Sequence, residues 1–227
     1  MIVDLNLTGK KVLVIGGGTE GSRKVRGLLG QNCKITVICE QLNSNLRELF
    51  ENGKIELIKQ RITDTSILDS YHDVYLILAA TDDKILNRKI VEKGKMLRAF
   101  VYAADDPEVS DFSYASIINI ENTMQVAIST YGKSPIMARK LRIKAERILR
   151  RTIKQTDIDN TRLQEFARIE ARPIIPTVRE RKKFLYSLIK NEDIQELIRN
   201  NKTEEAKKFA LELLNKWSDP KKNDTRK

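Results

Sequence analysis

The sequence predicts an α/β chain in which a doubly wound parallel sheet is followed by a β-rich segment and then by a helical C-terminal region. Apolar runs alternate with helical periodicity from Val12 to Ala103, the pattern of parallel strands joined by crossover helices. The first of these runs opens directly into a glycine-rich turn, Gly16-Gly17-Gly18-Thr19-Glu20-Gly21. After Pro107 the alternation stops: two β-rich runs with no helix between them give way to segments with helical spacing. The expected divisions are residues 1–112 for the sheet domain, 113–151 for the β-rich segment and the helix after it, and 152–227 for the helical region.

Val12-Leu13-Val14-Ile15 is an uninterrupted, mostly β-branched apolar run, which reads as a strand buried on both faces. Gly16, Gly18 and Gly21 follow in the order G-x-G-x-x-G, and Val25, Leu28 and Leu29 recur at helical spacing. A helix is expected from Thr19 to Leu29, with Gly30 as its C-cap glycine. The first-turn N–H groups of such a helix have no partner within it, and the helix dipole favours negative charge there, so the turn suits a pyrophosphate. Lys34 to Cys39 is the second strand, with Glu40 at its carboxyl end. An acid about 20 residues beyond the glycine turn is placed to bind the ribose 2′-hydroxyl of NAD and to repel the 2′-phosphate of NADP.

A helix from Asn43 to Glu51, a strand from Ile55 to Ile58, a short helix within 63–70 and a fourth strand from Val74 to Ala80 come next. Ligands in open α/β sheets lie outside the carboxyl ends of the strands, so Ala80, Thr81 and Asp82 fall on the same edge as the glycine turn. A helix through Ile85, Leu86, Ile90 and Val91 leads to the fifth strand, Arg98 to Ala103, which ends in Ala104-Asp105-Asp106-Pro107. The runs Ser116 to Ile120 and Met124 to Ser129 predict a hairpin outside the alternating unit. Thr130-Tyr131-Gly132-Lys133-Ser134-Pro135 then leads into a basic helix from Ile136 to Arg151, with Ser134 as N-cap and Pro135 in the first turn. Leu163, Phe166 and Ile169 share one helical segment, with a break expected at Arg172-Pro173-Ile174-Ile175-Pro176. Helices from Arg179 to Lys190, Asp193 to Asn200 and Thr203 to Trp217 follow, with Phe209, Leu213, Leu214 and Trp217 as core. The tail, Ser218 to Lys227, reads as polar and disordered.

At 227 residues, 41% hydrophobic and 32% charged, the composition is that of a soluble protein of one large or two modest domains. The N-terminus has no basic segment followed by a long apolar core, and no stretch is long enough for a membrane span, so a cytoplasmic protein is expected. Cys33 and Cys39 have neither disulfide-framework nor metal-ligand spacing and read as core residues. His72, the sole histidine, reads as a turn residue, so no metal site is expected. The net charge of +11 calls for an anionic partner or a solvated surface, and the low aromatic content, 6%, speaks against nucleic acid.

G-G-G with Arg23-Lys24 beyond it, Ala79-Ala80-Thr81-Asp82-Asp83 with Asn87 beyond it, an Asp before Pro107, and Ser129, Gly132, Ser134 and Pro135 before a basic helix occur in that order. In this the chain resembles the precorrin-2 dehydrogenase family, which includes the sirohydrochlorin ferrochelatases and the N-terminal half of siroheme synthase. The resemblance implies NAD-dependent oxidation of precorrin-2 to sirohydrochlorin on a Rossmann-like domain. It implies a catalytic carboxylate at Asp105, with Asp106 adjacent. Such a group could take the proton released with the hydride or, in chelation, receive pyrrole N–H protons. NAD contacts are implied at Thr19, Glu20, Glu40 and Gln41, beside Gly16, Gly18, Gly21, Ala80, Thr81 and Asp82. The polycarboxylate substrate is expected to meet Thr130, which stands where the family has a serine, together with Gly132, Lys133, Ser134 and Arg139. The segment 113–151 is the family's dimerisation region, which implies a homodimer. Insertion of iron into the product stays open. Two other classes remain beside this reading: an NAD-binding regulatory module without chemistry, and a nucleic-acid-binding protein acting through the basic C-terminal helices.

Overall fold

The computed structural model describes residues 2–218, and the chain divides into two compact units, Met1–Tyr114 and Ala115–Lys227. The first is built from β1 (Lys11–Ile15), α1 (Thr19–Leu28), β2 (Lys34–Cys39), α2 (Ser44–Glu51), β3 (Glu56–Lys59), a 3-10 turn (Ser66–Ser70), β4 (Val74–Ala79), α3 (Lys84–Met96) and β5 (Phe100–Ala103). All five strands run parallel in the order β3-β2-β1-β4-β5. The chain therefore starts at the centre, winds outward through β2 and β3, and returns to the other side of β1 for β4 and β5. The crevice where the winding reverses opens at the carboxyl ends of β1 and β4.

The continuous apolar run of β1 is explained by burial on both sides. Val12 and Val14 face one core with Val37, Leu76, Leu78, Val25 and Leu28 of α1, and Leu46 of α2. Leu13 and Ile15 face the other, with Ile77, Val101, and Leu86, Ile90 and Val91 of α3. Cys39 and Cys33 pack in and against the first core as free thiols, and His72 is exposed in a turn. The fifth strand is shorter than expected because Arg98 takes a left-handed turn, φ 59°. Ile85 stands 69% exposed, since the Asp83 carboxylate caps α3 and places Leu86, not Ile85, on the buried face.

The second unit opens with the antiparallel pair β6 (Ser116–Ile120) and β7 (Met124–Ile128), joined by a turn in which Glu121 and Asn122 both have positive φ. Then come α4 (Pro135–Thr152), α5 (Gln155–Ile174), α6 (Val178–Lys190), α7 (Glu192–Arg199) and α8 (Thr203–Ser218). Ile118 and Ile120 of the hairpin bury against Ile158 of α5, with Ala145 and Leu149 of α4 packed on them. Phe184 and Leu188 of α6, Ile194 and Ile198 of α7 and Leu214 of α8 form the larger core.

The expected break at 172–176 is corrected: α5 continues through Pro173 to Ile174. In the last turn a proline forgoes only one ladder bond, and the next one, from Ile175 N–H to the Ala171 carbonyl at 2.8 Å, still closes the helix. Leu163, Phe166 and Ile169 all lie on α5 as expected, where Leu163, Ala167 and Ala171 form the buried stripe and Ile169 is exposed. Ser218 belongs to α8, and the rest of the expected disordered tail lies outside the described residues. Among the described residues no helix is long and apolar enough to cross a membrane.

Candidate dinucleotide and catalytic site

The turn between β1 and α1 is closed by contacts that only glycine permits. Gly16 has φ 123°, and a Cβ there would lie 2.2 Å from the Ala80 carbonyl oxygen. A Cβ at Gly17 would lie 2.0 Å from the carbonyl oxygen of Gln41, and one at Gly21 2.0 Å from that of Gly16. Gly18 differs, since a Cβ there would meet nothing within 4 Å. Three glycines thus let β1, β4, the tip of β2 and the start of α1 converge, while the fourth faces open space. Gly18 is also the N-cap of α1 and offers no side chain to it, so the first-turn N–H groups of Thr19, Glu20 and Gly21 face that space uncapped. A pyrophosphate has both the room and the donors it requires, and the residues present fit a bound dinucleotide.

Asn43 holds the turn from the opposite side. Its backbone N–H donates to the Gly17 carbonyl at 3.1 Å and its side-chain amide to the Gly18 carbonyl at 3.1 Å, while its Oδ1 caps α2 by accepting from Leu46 N–H. Sequence reading had placed Asn43 only at a helix start; the cap is local, whereas the grip on the turn depends on β2 lying beside β1. Gln41 and Glu40 lead into this loop at the tip of β2.

Glu20 puts a negative charge into the first turn, where it would oppose a phosphate. Arg23 pairs with its Oε1 at 2.6 Å and Lys24 lies 3.4 Å from the same oxygen. Burial works to raise the Glu20 carboxyl, but the Arg23 hydrogen bond and the Lys24 charge outweigh it and hold the group below the usual range. Lys24 itself is only 4% exposed, with its ammonium over the rings of Tyr102 and Tyr114 at 3.9 and 3.7 Å from their centroids. Burial lowers it to about 8, opposed by Glu20 and assisted by Arg23. The Lys24 side chain was not legible as an interior group, because i,i+4 pairing with an acid reads as surface chemistry.

Beyond β4, Asn87 of α3 is fully buried and joins two strand ends. Its Oδ1 accepts from the Thr81 N–H at 3.1 Å and from the Thr81 hydroxyl at 2.7 Å, and its amide donates to the Thr81 carbonyl at 3.0 Å and to Asp105 Oδ1 at 2.7 Å. The Ala104 N–H donates to the Ala79 carbonyl, which carries the β4–β5 pairing one step past the strands. Asp105 is exposed, with one oxygen fixed and no hydrogen bond to the other among the described residues. Asp106 is different. Arg88 binds it through Nε at 2.8 Å and Nη2 at 2.6 Å, and the Arg88 bond holds its carboxyl below the usual range. Of the two adjacent acids, Asp105 is the one oriented and open. Glycine turn, Ala80, Thr81, Asp82 and Asp105 follow the carboxyl ends of the neighbouring strands β1, β4 and β5.

Thr130, Gly132, Lys133, Ser134 and Arg139 belong to the second unit. The Thr130 hydroxyl accepts from the Ser134 N–H and donates to its carbonyl, Gly132 has φ 77°, and the Ser134 side chain caps α4 by accepting from Met137 N–H. Lys133 and Arg139 are exposed. Their turn is ordered by its own hydrogen bonds, leaving the two cations to solvent or ligand. Among the described residues no group of three or more His, Cys, Asp or Glu side chains could hold a metal ion.

The sequence model of a family described as "Putative NAD(P)-binding" matches residues 3–116. The chain is 35% identical over 209 residues to a siroheme synthase of Actinobacillus succinogenes, covering 92% of this chain and 41% of the relative. It is 36% identical over 144 residues to a siroheme synthase of Neisseria meningitidis serogroup C, covering 63% of this chain and 29% of the relative. The chain thus spans about two-fifths or less of the curated relatives it matches. A solved structure, "SirC, precorrin-2 dehydrogenase", shares the fold with a TM-score of 0.64 at 21% identity, over 95% of this chain and 99% of that one.

Proposed function

This chain belongs to the NAD(P)-binding family, and on that premise we propose that it catalyses the NAD-dependent dehydrogenation of precorrin-2 to sirohydrochlorin. The observation that carries the reading is the Asn87-oriented, open carboxylate of Asp105 on the same sheet edge as the uncapped glycine turn. A regulatory dinucleotide module has no use for that arrangement. The siroheme synthase relatives support the choice of substrate, and the fold is shared with a precorrin-2 dehydrogenase.

The oxidation removes a hydride and a proton from the macrocycle. The nicotinamide, when bound, supplies the hydride acceptor. The first-turn N–H groups at Gly18 hold the pyrophosphate, and Glu40 binds the ribose 2′-hydroxyl. Ala80 and Thr81, at the carboxyl end of β4, would contact the nicotinamide. Asp105 accepts the proton at its free oxygen, and Asn87, by holding the other oxygen, keeps the carboxylate turned outward. Exposed Leu141 and Ile148, which share one face of α4, offer an apolar surface for a homodimer; the expected solution mass is twice that of the chain.

The test is conversion of precorrin-2 by the purified protein, followed by NADH formation and the absorbance of sirohydrochlorin. Asp105→Asn is expected to slow turnover by about 10²–10⁴-fold, the usual contribution of a general base, with dinucleotide affinity unchanged. Undiminished turnover in that variant overturns the assignment of Asp105. Failure of wild-type protein to oxidise precorrin-2 while still binding the dinucleotide returns the chain to the regulatory class.

A further inference from the structure

The acid at the tip of β2 has a cationic neighbour that the G-x-G-x-x-G pattern does not include. β3 pairs with β2 in register Cys39↔Lys59, and the pairing runs on past the strands through the Gln60 N–H, which donates to the Cys39 carbonyl at 3.0 Å. This sets Arg61 beside the Glu40-Gln41 tip by backbone geometry. Arg61 Nε lies 4.0 Å from Glu40 Oε2. The two side chains are 77% and 57% exposed, so the pair is solvated and free to open. The same tip touches the phosphate-binding turn, because the Gln41 carbonyl lies against Gly17. A dinucleotide whose pyrophosphate sits at Gly18 therefore brings its adenosine ribose to Glu40 and Arg61 together.

We propose that Arg61 sets how strongly this chain discriminates between NAD and NADP, by offering a guanidinium to the 2′-phosphate that Glu40 alone would repel. The inference rests on the dinucleotide reading of the glycine turn. With NAD, Glu40 accepts the ribose 2′-hydroxyl and Arg61 remains its loose partner. With NADP, Arg61 leaves the carboxylate for the phosphate, whose geometry and charge suit a guanidinium fork. The consequence is a shallow preference for NAD, not exclusion of NADP.

Direct binding of NAD and NADP to the full chain, by calorimetry or by fluorescence of the reduced forms, tests this without turnover. Wild-type protein is expected to bind NAD more tightly than NADP by about tenfold or less, with NADP affinity falling as salt is raised. Arg61→Ala should weaken NADP by about tenfold and leave NAD within about twofold, since one exposed charge-assisted contact is lost. Glu40→Gln should strengthen NADP and weaken NAD. Equal NADP affinity in wild type and Arg61→Ala, with NAD binding intact, overturns the role of Arg61. Absence of binding by either dinucleotide instead overturns the reading of the glycine turn itself.

Discussion

In the first unit a single buried amide, Asn87, ties two strand ends together from within the core, whereas in the second unit charged side chains pair along the outside of their own helices. Asn87 satisfies three groups of Thr81 and one oxygen of Asp105. On α4, Glu146 is shared by Arg142 and Arg150 one turn to either side, and Lys183–Glu180, Lys202–Glu205 and Lys207–Glu204 repeat the local pattern. The first arrangement is centred on a buried amide and joins the ends of two strands, so it specifies a geometry. The second is sequence-local, pairing residues three or four apart on one helix face, and contributes little to stability. A net charge of +11 therefore does not mark a site by itself. A few positioned groups at a sheet edge do.

The contrast can be tested most strongly in the helical core. Phe184 is fully buried against Trp217, and Phe184→Ala is expected to cost about 3–5 kcal/mol of stability. Dinucleotide affinity measured well below the melting temperature should stay unchanged, because the glycine turn belongs to the other unit; loss of affinity in step with stability would overturn that expectation. Asn87→Ala is expected to cost about 1–3 kcal/mol by leaving the Thr81 N–H unpaired, and to lower turnover while Asp105 is still present. Chemical denaturation and steady-state kinetics of the same preparation measure both, and full activity in this variant would remove Asn87 from the positioning role.

Lys24 gives a pH signature. Its folded value is lowered to about 8 from 10.5, so between these values the unfolded chain holds a proton that the folded one has released, and stability rises with pH across that window. The rise is on the order of 1–3 kcal/mol, reduced from the full shift because both tyrosine rings attract the ammonium. Above the ordinary tyrosine value the sign reverses, since burial, with the Glu20 charge, raises the Tyr102 phenol and the folded state keeps a proton the unfolded state loses. Melting temperature against pH should therefore climb from 8 and turn over near 10, and Lys24→Met should flatten the climb. The smallest effect is on the helical surface: Lys207→Gln, which breaks a pair with 78%-exposed Glu204, should alter stability by no more than about 0.5 kcal/mol.

Local chemistry made much of the first unit legible before any coordinates. The β-branched run before Gly16, the glycine turn itself and the alternation of strand and helix are all written in residues close together in the chain. That Asp105 is open while Asp106 is paired was not legible, because the residues that hold them, Asn87 and Arg88, stand 18 positions away on α3. Pro173 misled for a related reason: a proline signals a break, and whether it breaks a helix or only finishes one depends on the bonds its neighbours keep.

Sequence alone determined most of the secondary structure, the strand-turn-helix around Gly16 to Gly21, and the resemblance that names a substrate, because each depends on short-range spacing and side-chain type. Tertiary packing decided which acid is free, which lysine is buried, and that Arg61 stands beside Glu40. Those outcomes follow from strand order and register, which bring distant residues into contact and remove some of them from water.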